Sequence, residues 1–116
     1  MRPLCAAAAA AAVFLIAAAP ARAQAIPDLN VDPVCRGIAR QAAGPGEKGD
    51  IDTAFSQCVQ SEQEVRQKLG GEWSTFLPAE KSACIGSVQG GLASYTDLIS
   101  CLEMARDVRQ SSAPGK

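Results

Sequence analysis

Apolar positions along this chain fall into two regimes. From Leu4 to Ala19 they run without interruption. Beyond residue 30 they recur at the three-to-four-residue spacing of amphipathic helices, and nowhere do they alternate with period two over a useful length. The second regime predicts four helices and no sheet. Asp32 followed by Pro33 reads as an N-cap and a first helical proline, opening a helix over 33–43 whose apolar face is Val34, Cys35, Ile38, Ala39 and Ala42. Gly44-Pro45-Gly46 stops it. Asp52 is placed to cap the longest helix, 53–69, with Phe55, Cys58, Val59, Val65 and Leu69 on its apolar face and Gly70-Gly71 at its end. Glu62 with Arg66 and Glu64 with Lys68 read as i,i+4 ion pairs, each worth roughly 0.2–0.5 kcal/mol. A short apolar link of Trp73, Phe76 and Leu77 leads to Pro78, which opens a third helix carrying Ala83, Cys84, Ile85 and Val88 as far as Gly90-Gly91. Ser94-Tyr95-Thr96-Asp97 reads as a capping box for a fourth helix to about residue 109, with Tyr95, Leu98, Ile99, Cys101, Leu102, Ala105 and Val108 on its buried side. The tail, 110–116, is expected to be disordered.

The uninterrupted run changes how the rest is read. Arg2 gives a positive start, and after Pro20 both Ala21-Arg22-Ala23 and Ala23-Gln24-Ala25 offer small-x-small cleavage patterns. Residues 1–25 therefore read as a secretory signal peptide cut before Gln24 or Ile26. The run falls short of the roughly 20 residues that span a bilayer, so no membrane attachment is expected after cleavage. The destination is the periplasm, or the medium, of a bacterium. Composition follows suit. The chain of 116 residues is 47% hydrophobic, but residues 1–25 hold 20 of those residues, 13 of them alanine, and the other 91 are only about 38% apolar. Losing Arg2 and Arg22 leaves nine Lys+Arg against twelve Asp+Glu, a mature net charge of -3. One domain, 26–109, is all that this length allows, and a domain so small buries too little surface to be comfortable without staples.

Export supplies the staples. Cys5 leaves with the signal segment, and Cys35, Cys58, Cys84 and Cys101 remain, an even number in an oxidising compartment. The chain has no histidine, and its cysteine spacings of 23, 26 and 17 positions suit neither a zinc site nor a Cys-x-x-Cys redox centre. Each helix carries one cysteine on or beside its apolar stripe, so two helix-to-helix disulfides are expected. Antiparallel hairpins with loops at 44–51 and 90–93 favour Cys35 with Cys58 and Cys84 with Cys101 over the two other connectivities. The fold class read from the sequence is all-α, a small bundle of four short helices in two disulfide-stapled hairpins.

Function classes narrow by what the chain lacks. Without histidine there is no Ser-His-Asp or Cys-His site, and a carboxylate pair working as in glycosidases needs a cleft that so small a bundle is poorly equipped to build. No enzyme activity is expected. Nucleic acid is an equally poor partner for an acidic product with dispersed basic residues. Oxygen ligands remain. Asp28, Asn30 and Asp32 alternate along an extended arm and imitate the opening of an EF-hand loop, although Pro33 stands where that loop needs glycine and Ala39 where it needs a bidentate glutamate. Glu47, Asp50 and Asp52 gather in the loop between the first two helices, and Glu103 with Asp107 lie one turn apart on the fourth. Their bland readings are a flexible arm, a solvated turn and a charged face beside Arg106 and Arg109.

The layout of signal peptide, four helix-borne cysteines and the stretch Ser94-Tyr95-Thr96-Asp97-Leu98-Ile99-Ser100-Cys101-Leu102-Glu103-Met104 resembles small exported proteins of alphaproteobacteria. In size, compartment and helical, acidic character the chain is similar to LanD, the periplasmic lanthanide-binding proteins of methylotroph lanthanide-uptake clusters. The resemblance brings no ligand motif that maps residue by residue. It implies a non-enzymatic role binding a lanthanide or calcium through an exposed site of few ligands, with two protomers sharing the ion as a metal-dependent homodimer. Hard ions of this kind want oxygen donors. The expected metal ligands are thus Asp28, Asn30 and Asp32, or Glu47, Asp50 and Asp52. The competing expectation is a module that docks a periplasmic protein partner through whatever part of Trp73, Phe76 and Leu77 the core leaves exposed.

Overall fold

The computed structural model describes residues 24–45 and 48–114; the signal-peptide reading of 1–25 lies outside them as far as residue 23, as does the candidate ligand Glu47. Four helices follow one another, α1 (Asp32–Ala43), α2 (Lys48–Glu72), α3 (Pro78–Gln89) and α4 (Tyr95–Ser111), with a single 3-10 turn, Trp73–Thr75, between α2 and α3. There is no strand among the described residues. Helix α1 packs on α2 and α3 on α4, and contacts between α2 and α4 join the two hairpins. Each hairpin is closed by one disulfide, Cys35–Cys58 and Cys84–Cys101, with Cα atoms 5.5 and 5.7 Å apart. The fold class and both pairings are those that the spacing predicts.

Element boundaries depart from the local signals where packing overrules them. Gly44 ends α1 with φ +68°, the one left-handed backbone among the described residues. Gly70 and Gly71, expected to stop α2, instead continue it to Glu72. A glycine terminates a helix by turning left-handed, and neither does so. Holding the helix through them costs about 1 kcal/mol apiece. The cost is offset by carrying Trp73, one turn beyond the buried Leu69, against the core. At its other end α2 begins at Lys48, which puts Asp52 inside the helix and not at its cap. Asp32 likewise is the first residue of α1 and not its cap. Val31 holds that place, and Asn30 Oδ1 accepts from the Asp32 N–H at 3.2 Å. Helix α4 runs through Gln110 and Ser111, two residues into the expected tail.

The core is the shared interior of the two hairpins, centred on Cys35, Leu69, Phe76, Cys84, Tyr95, Leu98 and Leu102. Phe76 is therefore core. The stripes are narrower than the periodicity suggested. On α1 only Cys35 and Ala39 are buried while Ile38 is half-exposed, because α1 packs on α2 alone; on α4 Val108 faces solvent.

Two polar devices lock the hairpins together. Glu62 on α2 stands within the stripe formed by Phe55, Cys58, Val65 and Leu69, and only 6% of it is exposed. Its carboxylate accepts from the Tyr95 N–H, from the Thr96 N–H at 3.4 Å and from the Thr96 hydroxyl, so it caps the N-terminus of α4 beside Ser94, whose Oγ accepts from the Asp97 N–H at 3.0 Å. An anion at a helix N-terminus meets both the free amides and the positive end of the helix dipole. The second device is Tyr95, 2% exposed, whose hydroxyl donates to the Pro27 carbonyl at 3.0 Å and accepts from the Leu29 N–H at 2.9 Å. It pins the arm of residues 24–31 to the bundle. That arm, expected to be flexible, is an ordered part of the fold.

Candidate functional site

The sequence-predicted ligands occupy separate places. The Asp28 carboxylate pairs with the Arg66 guanidinium, which also lies over the Tyr95 ring, its carbon 5.7 Å from the centroid. Asn30 turns its oxygen to the backbone, and Asp32 is exposed in the first turn of α1. Asp50 and Asp52 are exposed on the first turns of α2. Glu103 pairs with Lys68 at 3.3 Å, so Lys68 is not held by Glu64, and Asp107 is exposed. Among the described residues no three or more histidine, cysteine or carboxylate side chains stand close enough to hold a metal ion.

A concave site forms instead between α1 and α2, a cleft of about 320 Å³ lined by Arg36, Arg40, Ile51, Asp52 and Phe55. Its volume is at the lower end of small-molecule sites. The disulfide builds it. Joining Cys35 to Cys58 fixes the register of the hairpin, so that the turn of α1 carrying Arg36 and Arg40 lies beside the turns of α2 carrying Ile51 and Phe55. Arg36 and Arg40 are four residues apart and thus on one face of α1. The Arg36 guanidinium stands 5.2 Å from the centroid of the Phe55 ring, a cation–π arrangement that aims it along the apolar wall.

Two guanidinium groups against one carboxylate make the described lining of this cleft net positive within a chain whose formal net charge is -1. The four ion pairs among the described residues use Arg66, Lys68, Arg106 and Arg109; Arg36 and Arg40 enter none of them. Chemically the arrangement offers ten N–H donors in two planar forks, suited to a carboxylate or phosphate group, next to an apolar surface for the body that carries it. Sequence reading missed these arginines because each alone is an ordinary polar residue on the flank of an amphipathic helix. The available signal was their i,i+4 spacing immediately after Cys35, combined with the Cys35–Cys58 register that brings Phe55 opposite.

The open ends of the other hairpin are tied by a different set of charges. Glu80 accepts from the Leu77 N–H and from Arg109 Nε, both at 2.8 Å, while Arg109 also reaches the Thr75 carbonyl at 3.2 Å. The Arg109 guanidinium holds the Glu80 carboxyl below the usual carboxylate range, with the Leu77 N–H adding to the effect against partial desolvation. Arg106 lies over the Phe76 ring at 4.9 Å and bonds the Thr75 hydroxyl at 2.9 Å. These side chains serve the junction of α3, α4 and the 3-10 turn.

No described helix is long and apolar enough to cross a membrane. Set against family models, curated proteins and solved structures, the chain matches none.

Proposed function

We propose that this chain is a non-enzymatic binding protein of the bacterial periplasm whose ligand is a small organic anion, a carboxylate or phosphate ester with an apolar body, held in the α1–α2 cleft. The observation that carries this reading is the pair Arg36 and Arg40, neither in an ion pair among the described residues, facing a shelf of Ile51 and Phe55. Two disulfides support the oxidising compartment. The lanthanide or calcium reading draws its support from the acidic excess of the mature chain. It is the weaker one, because Asp28 already has Arg66 and because Asp52 shares its cleft with two guanidinium groups that repel a cation. A second reading, docking of a protein partner, has one specific observation in its favour. Leu77, Met104 and Val108 are 45, 64 and 67% exposed, and the Cys84–Cys101 register sets Leu77 opposite Val108 at the open end of the α3–α4 hairpin.

Calorimetric titration of the oxidised protein with phenyl phosphate, inorganic phosphate and benzyl alcohol tests the proposal. At about 0.3–0.4 kcal/mol per non-hydrogen atom, phenyl phosphate should bind with a Kd of roughly 1 mM, and more weakly as salt rises. The two fragments should bind at least several-fold more weakly. Arg36→Gln/Arg40→Gln should abolish saturation. Equal heats from the double variant and the wild type would remove the cleft from consideration.

A further inference from the structure

The arm that Tyr95 pins begins at Gln24, and Gln24 itself is held at two atoms. Its backbone carbonyl accepts from the Trp73 indole N–H at 2.6 Å, and its side-chain Oε1 accepts from the Ser82 hydroxyl at 3.1 Å. Ile26 follows, packed against the core, with its Cδ1 3.8 Å from where a Cβ on Gly70 would stand. We infer that the chain is cut between Ala23 and Gln24 and that the new N-terminal glutamine closes to 5-oxoproline, a neutral end group lodged in a corner made by Trp73, Lys81 and Ser82. The inference rests on the export reading of residues 1–25 but not on the ligand of the cleft.

The two hydrogen bonds of Gln24 favour this cut over the alternative before Ile26, and the charge already in the corner favours closure of the ring. A cut after Ala25 discards the residue that makes both hydrogen bonds and leaves the half-buried Trp73 without its acceptor. A cut after Ala23 keeps the whole docked arm. The corner, moreover, already contains one cation, since the Lys81 ammonium lies 4.9 Å from the Trp73 ring centroid and Lys81 is 6% exposed with no ion pair among the described residues. A free α-ammonium on Gln24 brings a second positive charge to the same indole, and the lactam removes it.

The chemistry needs no co-reactant. The neutral α-amine attacks the side-chain amide carbon Cδ, a new C–N bond closes the five-membered ring, the Cδ–Nε2 bond breaks, and ammonia leaves with the proton that the amine gives up. The oxygen held by Ser82, Oε1, is the atom that survives as the lactam carbonyl, whereas Nε2, the leaving nitrogen, makes no hydrogen bond among the described residues. The Ser82 hydroxyl also polarises that carbonyl toward attack. It acts as a positioning residue, and one neutral hydrogen bond of this kind corresponds to about a fivefold change in rate.

The test is intact mass and N-terminal peptide sequencing of the full chain exported by a bacterial host, for the wild type and for Ser82→Ala. The expected product starts at residue 24, is lighter by one ammonia than the free-glutamine chain, and shows both disulfides. The Ser82→Ala chain should be cut at the same bond but accumulate the lactam about fivefold more slowly when followed from a freshly released N-terminus. A product starting at Ile26, or a free glutamine that persists for days, overturns the inference. Equal rates for the two chains overturn the part given to Ser82. An uncut chain refutes the export reading itself, and the phosphate-ester titration of the cleft then stands or falls on its own result.

Discussion

Glu62 carries the most concentrated energetic burden in this fold, and replacing it gives the sharpest forecast. Its carboxylate is almost fully buried and meets three donors at the start of α4. Hydrogen bonds to a charged acceptor contribute about 1.5–3 kcal/mol each. The three share one carboxylate and the Thr96 N–H is a long 3.4 Å away, so they do not add in full. Favourable interaction with the helix N-terminus contributes about 0.5–2 kcal/mol more, and desolvation of the carboxylate takes back several kcal/mol. Glu62→Ala leaves the Tyr95 N–H buried without a partner while water can reach the exposed Thr96. The net loss should be about 3 kcal/mol, a large part of the 5–15 kcal/mol typical of a domain. Glu62→Gln keeps an acceptor of the same shape and should lose about half as much, and Thr96→Val about 1 kcal/mol. Urea unfolding of the oxidised protein, with the slope m unchanged across the series, measures all three. A loss below about 1 kcal/mol for Glu62→Ala, or a larger loss for Gln than for Ala, would refute the capping role.

Three further outcomes follow from the same geometry. Cys84→Ser/Cys101→Ser opens a 17-residue separation and should cost about 3 kcal/mol, and Cys35→Ser/Cys58→Ser, across 23 residues, slightly more, both read as shifts in the urea midpoint. The pKa of Glu80 lies below its ordinary 4.5 in the folded chain, so its contribution is complete above that value and is lost as pH falls through the folded pKa. The stability gap between wild type and Glu80→Gln, measured from pH 7 to pH 2, should therefore close only on the acid side; a gap that is constant with pH means that the Arg109 pair contributes nothing. Tyr95→Phe removes both hydrogen bonds to the arm and should cost about 1–2 kcal/mol, with limited proteolysis near residues 24–31 accelerating more than global unfolding does.

What the sequence made legible was the part encoded locally. Helical period, Pro78 at the start of α3, Ser94 as a cap and the cysteine spacing each act within a turn or a hairpin, and they define the four helices and both disulfides. The rest depends on partners far apart in the chain. Glu62 and Arg66 look like a helical ion pair, yet Glu62 caps α4, 33 residues on, and Arg66 takes Asp28, 38 residues back. The one local hint was that Glu62 interrupts an otherwise apolar stripe. Tyr95 reaches Pro27 across 68 residues, so nothing near Asp28, Asn30 or Asp32 announces that their arm is fixed. Acidic residues drew attention to a cation because they are numerous. The cleft between α1 and α2 is made by two arginines whose meaning depends on the helix opposite.

The most direct measurement is a backbone amide shift map of the oxidised protein titrated in parallel with phenyl phosphate and with lanthanum. Saturable shifts for the phosphate ester, concentrated at residues 36–40 and 51–55 and absent from Arg36→Gln/Arg40→Gln, are the expected result. Shifts that gather instead at residues 28–32 or 50–52 with lanthanum, while phenyl phosphate leaves the α1–α2 cleft unmoved, would contradict anion binding and return the chain to the hard-cation reading.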